Sequence, residues 1–425
     1  VTGAGLLRAD ALSLPLGDAT VDLIVTSPPY FALRSYSDGG EHYEGQIGSE
    51  ATPTAFLEAL WAVTAECWRV LKPGGSLWVN LGDKYAGTGG HNNGGIAKPH
   101  TGSITFAGQD RNAASRPAKR RTAPDRYNQA SDGIRAKSLM GLPWRYAIGC
   151  IDGQADPDGK GWILRAEVVW SKPNGLPESV TDRVRRSHEH WFHFTKEGRY
   201  YSAVDRIREE HVGGLVGMTW AERKAAGEPM RHGDAAGGAS EASPGSKAAN
   251  PLGKLPGSVW TIPTQPLIVP DWLNVDHFAA FPTEWPRRII EGWSPSGVCT
   301  ACGEGRRPVA ERDTSSSATA VASDGGTPDN NWGGGREFAL KPTYSITGEC
   351  CACPDATAPT TPAVVLDPFG GTGTTAMVAR ALGRYGVSVD LSADYLRLAR
   401  WRIWQSGGAA KVRARSDREA QGVLL

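Results

Sequence analysis

Leu366-Asp367-Pro368-Phe369-Gly370-Gly371-Thr372-Gly373-Thr374-Thr375 decides the fold class of this 425-residue chain. Before it, residues 363–366 are a short apolar run that reads as a buried strand. After it, residues 375–382 have helical spacing, 385–389 form a second strand and 393–404 a second helix. Strand, glycine turn, helix, strand is the grammar of an open α/β sheet. Glycines at such a turn let the backbone bend tightly and approach a ligand, and the helix that follows offers unpaired N–H donors. Gly371-Thr372-Gly373-Thr374-Thr375-Ala376 satisfies G-x-G-x-x-A, and Asp390 closes the next strand, where a carboxylate accepts hydrogen bonds from a ribose. The spacing fits an adenosine-type cofactor. A nicotinamide dinucleotide satisfies it as well as S-adenosylmethionine, and a tight turn without a ligand is the plain alternative.

A second stretch lies near the other end of the chain. Val21-Asp22-Leu23-Ile24-Val25-Thr26-Ser27-Pro28-Pro29-Tyr30 runs an apolar strand directly into two prolines. Two fixed φ angles and two missing N–H donors make a rigid corner through which strand pairing cannot continue. An amino group on a flat ring needs acceptors to orient its hydrogens and an aromatic face to hold the ring. Ser27 Oγ and the Pro28 carbonyl supply acceptors, and Tyr30 supplies the face. Alone, Pro-Pro-Tyr is an ordinary loop. At the carboxyl end of a buried strand, where open α/β sheets bind ligands, it becomes a candidate site.

Between these stretches the α/β pattern continues and is interrupted. Thr52 or Thr54 caps a helix through Phe56, Leu60, Trp61 and Val70; Lys72-Pro73-Gly74-Gly75 ends it, and 76–80 is a strand. Ordered sequence returns over 139–151, and strands at 162–170 and 190–195 follow. Residues 86–136, 211–258 and 306–346 lose periodicity to Gly, Ser, Ala and Asn and read as flexible insertions. The length exceeds what one core usually serves, and 53 glycines with 29 prolines imply long loops. Hydrophobic residues at 40% and charged residues at 21% are ordinary for a soluble chain. No run reaches the roughly 18 apolar residues of a membrane helix, and no leader is recognisable, which argues against membrane-spanning and secreted classes. Seven cysteines, an odd number, do not suggest a disulfide framework, so a reducing, cytoplasmic location is expected. Cys67 and Cys150 sit in apolar helical contexts and read as core fillers.

Ser27-Pro28-Pro29-Tyr30 together with Asp367-Pro368-Phe369-Gly370-Gly371-Thr372-Gly373 resembles the amino-methylating DNA methyltransferases, which move a methyl group from S-adenosylmethionine to an exocyclic base nitrogen. With the catalytic corner first and the cofactor loop last, the order is similar to the circularly permuted β-type members. The resemblance implies a Rossmann-like sheet in which both motifs meet at one crevice, and it favours S-adenosylmethionine over the dinucleotide. Carried over residue by residue, it assigns catalysis to Ser27, Pro28, Pro29 and Tyr30. Cofactor contacts fall to Asp10 (in Arg8-Ala9-Asp10), Phe281 (in His277-Phe278-Ala279-Ala280-Phe281-Pro282), Asp367, Phe369, Gly371, Thr372, Gly373, Thr374 and Asp390. Leu71-Lys-Pro-Gly-Gly-Ser-Leu-Trp-Val-Asn-Leu-Gly-Asp83 resembles the helix–strand unit that follows the corner, and Trp170-Ser171-Lys172-Pro173-Asn174 and Ser187-His188-Glu189-His190 resemble the later strands of the catalytic half. Serine before Pro-Pro-Tyr is the form more often associated with cytosine N4; adenine N6 is the close alternative. The expected organisation is a catalytic half at 1–85 and 139–208, a basic insertion at 86–138, and an insertion at 209–271 that is a possible target-recognition region. A cofactor half at 272–298 and 354–405, a zinc-knuckle insertion at 299–353 and a basic tail at 406–425 complete it.

Cys299-Thr-Ala-Cys302 and Cys350-Cys-Ala-Cys353 are two C-x-x-C knuckles, and Cys299, Cys302, Cys350 and Cys353 are expected to hold a structural zinc, with Cys351 a spare. Closing the intervening loop costs about 3–4 kcal/mol. Structural zinc contributes roughly 10–16 kcal/mol, so binding wins. Unligated surface thiols are the plain alternative.

The overall charge of +1 hides asymmetry. Residues 1–70 carry three basic and nine acidic side chains, 110–137 eight and three, and 380–418 nine and three. A base inside a duplex cannot reach a crevice, so the expected partner is double-stranded DNA with a flipped target base, gripped by its phosphates. Lys119, Arg120, Arg121, Arg183, Arg185 and Arg186 are the candidates for that grip, although a basic run is often only a solvated face. A cognate restriction endonuclease is a possible partner. The rival readings are a nicotinamide-dependent oxidoreductase and a DNA-binding module that has lost transfer; RNA or a protein amide is a further possible substrate.

Overall fold

A computed structural model describes residues 3–32, 37–38, 41–42, 46–87, 132–175, 177–178, 180–209, 250, 252–275, 280–313, 343–353 and 357–420. Strand β2 (Val21–Thr26) is buried along its entire length, which a strand achieves only when both faces are covered. Its side chains divide accordingly. Ile24 joins one core with Leu77, Leu366 and Val389, while Leu23 and Val25 join another with Trp78 and Val365. The two cores are the two faces of one eight-stranded sheet.

The strand order is β1 (Ala4–Arg8), β14 (Tyr385–Asp390), β13 (Val364–Asp367), β2, β5 (Leu71–Leu81), β7 (His188–Thr195), β6 (Ile163–Ser171) and β8 (Val259–Thr261). The first five are parallel, β7 runs antiparallel to both its neighbours, and β8 is parallel to β6. Short antiparallel ribbons lie outside this sheet: β3 (Ser37–Asp38) with β4 (Glu41–His42), β9 (Val298–Cys299) with β12 (Thr360–Thr361), and β10 (Arg307–Asp313) with β11 (Thr343–Cys350).

Helices α1 (Pro53–Val70) and α2 (Leu142–Ile151) cover the first face through Phe56, Leu60, Val63 and Tyr146. Helix α1 starts where expected: Thr52 Oγ1 accepts from Ala55 N at 3.2 Å, and Pro53 occupies the first turn, where its missing N–H costs nothing. The other face carries α3 (Glu284–Trp293), α4 (Thr374–Ala381), α5 (Ala393–Trp404) and α6 (Gly408–Ala420), through Trp285, Ile289, Met377, Ala399 and Val412. Its centre is an indole stack, Trp191 on Trp285 at 4.8 Å and Trp285 on Trp260 at 4.9 Å between ring centroids. Such pairs contribute about 0.5–1.5 kcal/mol each beyond area burial.

Three local expectations differ from what is observed. Lys72 to Gly75 do not separate helix from strand but enter β5, and register jumps from Val21↔Leu71 to Leu23↔Ser76. Glycine permits this bulge, since a Cβ on Gly75 would lie 2.9 Å from the Asp22 carbonyl oxygen. Residues 406–425, read as a tail, carry α6, held by Arg413 Nε donating to the Ala381 carbonyl at 3.0 Å and Ser416 Oγ to Glu291 at 2.6 Å. Within 209–271, β8 adds a strand to the sheet edge and buries Trp260. Cys67 and Cys150 are buried, and burial pushes both thiols up, consistent with core filling. No helix among the described residues is long and apolar enough to cross a membrane.

On α3, Arg287 is buried between two carboxylates, donating to Glu284 at 2.7 and 2.9 Å and to Glu291 at 2.7 Å. Removing one member of a buried ionic group leaves the others uncompensated, at about 3–5 kcal/mol. Arg287→Met is therefore expected to lower the unfolding free energy by about 3 kcal/mol or more in urea titration, and a loss below about 1 kcal/mol would contradict this reading of the helix.

Candidate active site

The two diagnostic stretches sit on neighbouring strands. β13 pairs with β2 through Val365↔Leu23 and Leu366↔Ile24. The pairing is pinned at both ends by side chains. At the amino end Asp22 Oδ2 accepts from Val364 N at 2.8 Å. At the carboxyl end Asp367 Oδ1 accepts from Thr26 Oγ1 at 2.7 Å and from Phe369 N at 3.1 Å, while Asp367 Oδ2 accepts from Thr375 Oγ1 at 2.8 Å. Thr26 and Asp367 are 341 positions apart in the chain. The residue before Ser27 thus holds the first residue of the glycine turn. Burial raises the Asp367 carboxyl to about 6, against the pull of its three donors. With both oxygens taken inside the protein, Asp367 fixes the turn; its side chain does not face a ligand.

The turn itself is built by close approach. Gly370 N donates to the Val389 carbonyl at 2.8 Å, and Gly373 N to the Gly370 carbonyl at 2.7 Å. A Cβ on Gly370 would lie 1.8 Å from Ser388 Oγ, and Gly373, at φ +72°, would meet Ala399 at 2.7 Å. Only glycine fits either position. Thr372 and Thr374 are buried, and both hydroxyls accept from Arg402, at 2.6 and 2.5 Å. Burial draws the Arg402 guanidinium down to about 10. These threonine side chains therefore brace the turn from behind.

At the adjoining strand ends, Asp390 Oδ2 accepts from Gly371 N at 2.9 Å and Asp390 Oδ1 from Ser392 N at 2.8 Å. Asp10 follows β1, whose Arg8 is registered against Asp390, and it is exposed with Oδ1 on Leu12 N at 2.9 Å. Two carboxylates at neighbouring strand ends, Asp10 after β1 and Asp390 between it and the glycine turn, fit a ligand rich in hydroxyl and amino donors. An adenosine is such a ligand. Phe369 is half-buried beside the turn. Phe281 packs edge-on against Trp191, with centroids 5.9 Å apart; His277 to Ala279, before it, lie outside the described residues.

At the corner, Pro28 is buried while Ser27, Pro29 and Tyr30 are partly exposed. Ser27 Oγ donates to Asn80 Oδ1 at 3.2 Å. The Tyr30 hydroxyl lies 2.8 Å from both Asn80 Oδ1 and Glu189 Oε2, which share its one proton. Asn80 Nδ2 donates to the His190 carbonyl at 3.1 Å, which fixes the amide oxygen toward Ser27 and Tyr30. Glu189 is paired in turn with Lys172, whose ammonium lies 4.0 Å from the centroid of the Trp170 ring. Gly82 closes the edge of the tyrosine ring, since a Cβ there would come within 2.8 Å of it. Asn80, Gly82, Lys172 and Glu189 carry no signature of their own in the sequence, although each lies in a segment that resembles the catalytic half.

Of the basic candidates, Lys119, Arg120 and Arg121 lie outside the described residues. Arg183 lies over the Tyr85 ring at 3.9 Å and pairs with Glu178 at 2.7 Å. Arg185 donates to the Gly175 carbonyl at 2.7 Å and Arg186 to the Asp83 carbonyl. All three brace the segment that leads into β7.

The cysteine knuckles do meet, with one substitution. Cys299, Cys302, Cys351 and Cys353 cluster, with sulfurs within 4.8 Å of one another. Cys350, expected among the ligands, is instead the last residue of β11, registered against Arg307 and exposed. Cys350 is held in the ladder, and Cys351, the first residue past the strand, brings its sulfur to the cluster.

A family model described as DNA methylase matches residues 21–300 and 359–400. Type II methyltransferase M.Cfr9I of Citrobacter freundii is 40% identical over 217 residues, 50% of this chain and 61% of that protein. The chain thus spans about three fifths of that relative's length. Type II methyltransferase M.SmaI of Serratia marcescens is 27% identical over 383 residues, 90% of this chain and 84% of that one. Among solved structures, PvuII DNA methyltransferase (cytosine-N4-specific) aligns at a TM-score of 0.49 and 14% identity, over 99% of this chain and 94% of the other.

Because the Asp367 carboxyl rises from an ordinary 3.8 to about 6 on folding, the folded state holds its proton more tightly than the unfolded chain. This contribution is complete below about pH 4 and is lost as pH rises through 6. Asp367→Asn removes the titration, so the stability of the variant relative to the parent is expected to improve by about 2–3 kcal/mol between pH 4 and 7. Urea unfolding at the two pH values checks this; a constant difference would contradict the buried, protonatable Asp367.

Proposed function

Since the chain belongs to the N6/N4 DNA methylase family, we propose that it transfers a methyl group from S-adenosylmethionine to an exocyclic amine of a base in double-stranded DNA, cytosine N4 ahead of adenine N6. The observation that carries this is the Thr26–Asp367 hydrogen bond, which sets the Ser27–Tyr30 corner beside the glycine turn. The order of corner and turn along the chain is read as a circular permutation of the family's sheet.

S-adenosylmethionine, bound between Asp10, Asp390 and the turn, supplies an electrophilic methyl group. The chain's own residues orient the nucleophile. Because Asn80 Oδ1 takes the hydroxyl proton of Ser27, the Ser27 oxygen faces the target amine as an acceptor. Together with the Pro28 carbonyl it accepts the two amine hydrogens and makes the nitrogen lone pair more available. Pro28 and Pro29 fix the corner so that neither acceptor drifts. Tyr30 offers its ring to the flipped base, and Asn80 and Glu189 hold the ring through its hydroxyl. A proton leaves the nitrogen after transfer. Arg183, Arg185 and Arg186 would lie near the backbone of the bound strand, giving affinity that falls with salt.

Ser27 in place of aspartate or asparagine favours cytosine N4. Adenine N6 presents the same two hydrogens and is the second reading. A cognate restriction endonuclease and a cytoplasmic location belong to the same proposal. Mass spectrometry of nucleosides from DNA of cells expressing the chain is expected to find N4-methylcytosine. N6-methyladenine would move the assignment to the second reading, and no modified base together with tight NAD binding would replace it with an oxidoreductase.

Base stacking on an aromatic side chain is worth about 1–3 kcal/mol. Tyr30→Ala is expected to slow transfer by roughly 10-fold or more while leaving the S-adenosylmethionine dissociation constant within about 2-fold. Tyr30→Phe keeps the ring but loses its anchor, and a loss of about 5- to 10-fold is expected, the value of one hydrogen bond. Single-turnover transfer and calorimetry read the two effects; Tyr30→Ala with unchanged transfer would overturn the assignment.

A further inference from the structure

Methyl transfer makes no use of the four clustered cysteines. We propose that Cys299, Cys302, Cys351 and Cys353 hold a structural zinc ion as a closed tetrathiolate that fastens the β10–β11 hairpin to the body of the protein. This goes beyond the methyltransferase reading and does not depend on it.

The backbone prepares both halves of the site. Cys299 N donates to the Glu304 carbonyl and Gly303 N to the Cys299 carbonyl, each at 2.9 Å, closing a tight turn in which Gly303 stands at φ +73°. That turn returns Cys302 beside Cys299. Cys351 and Cys353 leave the end of β11, whose partner strand β10 begins just after the same turn. Four sulfurs around zinc, at about 2.3 Å from the metal, stand roughly 3.8 Å from one another in a tetrahedron. The observed spread, within 4.8 Å, needs only a small contraction. Sulfur is the sole donor type within the cluster, which selects a soft or borderline metal and leaves no position for water. Cys299 is buried, so its sulfur faces its partners rather than solvent.

There is a structural need for the ion. β9 and β12 share two residue pairs, and an isolated two-stranded ribbon is marginal in water. The β10–β11 hairpin touches the rest of the protein through a few polar contacts: Glu349 accepts from Arg206 and Ser296, and Tyr201 Oη donates to the Arg306 carbonyl at 2.8 Å. A tetrathiolate that joins the start of β10 to the end of β11 makes these contacts one unit.

Metal analysis of the full chain, purified under reducing conditions without chelator, is expected to give one zinc per chain, released with titration of four thiolates by a mercurial. Cys351→Ser is expected to lose the zinc and Cys350→Ser to retain it. Absence of zinc from the parent protein, iron in its place, or disulfides between these cysteines would overturn the proposal. Retention by Cys351→Ser together with loss by Cys350→Ser would overturn the ligand set. The parent measurement needs no variant, so a Cys351→Ser protein that fails to fold leaves the test intact.

Discussion

Two parallel strands, β13 and β2, carry everything that follows, and they share only a short ladder of backbone pairs. What makes this junction definite is the side-chain clamp at each end, Asp22 on Val364 N and Asp367 between Thr26 and Thr375. The clamp is electrostatically costly, since a fully buried carboxyl is pushed toward its neutral form. The cost is borne where two chemical functions must meet from opposite ends of the chain. A neutral core pair would bury as much surface but would not fix the azimuth of the turn relative to the corner.

The corner repeats the same logic. Ser27 and Tyr30 are loop residues, yet their hydroxyls converge on Asn80, whose amide is oriented by the next strand. Glu189 adds a second anchor to the ring and is itself neutralised by Lys172. Two strands, β5 and β7, thus contribute Asn80 and Glu189 to a site whose visible part is a single tyrosine face. Rigid elements set the geometry and the loop only displays it.

Strands β2, β5, β6, β7, β13 and β14 were legible in the sequence as short apolar runs bounded by turn signals, the edge strands β1 and β8 were not, and the glycine turn was legible because only glycine fits so close to Ser388 and Ala399. The boundaries of α1 and α5 were read almost to the residue, α1 because Thr52 advertises its cap and α5 because its helical spacing runs from Ala393 to Trp404. Helix α6 was missed because its polar and basic composition suits a tail, and only docking against α4 and α3 makes it a helix. The roles of Asn80, Lys172 and Glu189 were invisible for a different reason: each depends on an antiparallel strand, β7, inserted between β5 and β6, and register across such a strand is a tertiary fact. Likewise Cys351 displaced Cys350 among the clustered thiols because Cys350 is paired in β11 opposite Arg307, which knuckle spacing does not reveal. Thr372 and Thr374, read as ligand contacts, face Arg402, whose helical position gave no hint of its reach into the turn.

The account stands on one crevice serving both motifs. A crystal structure with sinefungin, a non-transferable analogue of the methyl donor, and an oligonucleotide tests it most directly. The adenosine is expected between Asp10 and Asp390, with the amine that replaces the methyl group turned toward a base stacked on Tyr30. An analogue bound away from the Gly371 turn, or a base held by residues other than the Ser27–Tyr30 corner, would contradict it.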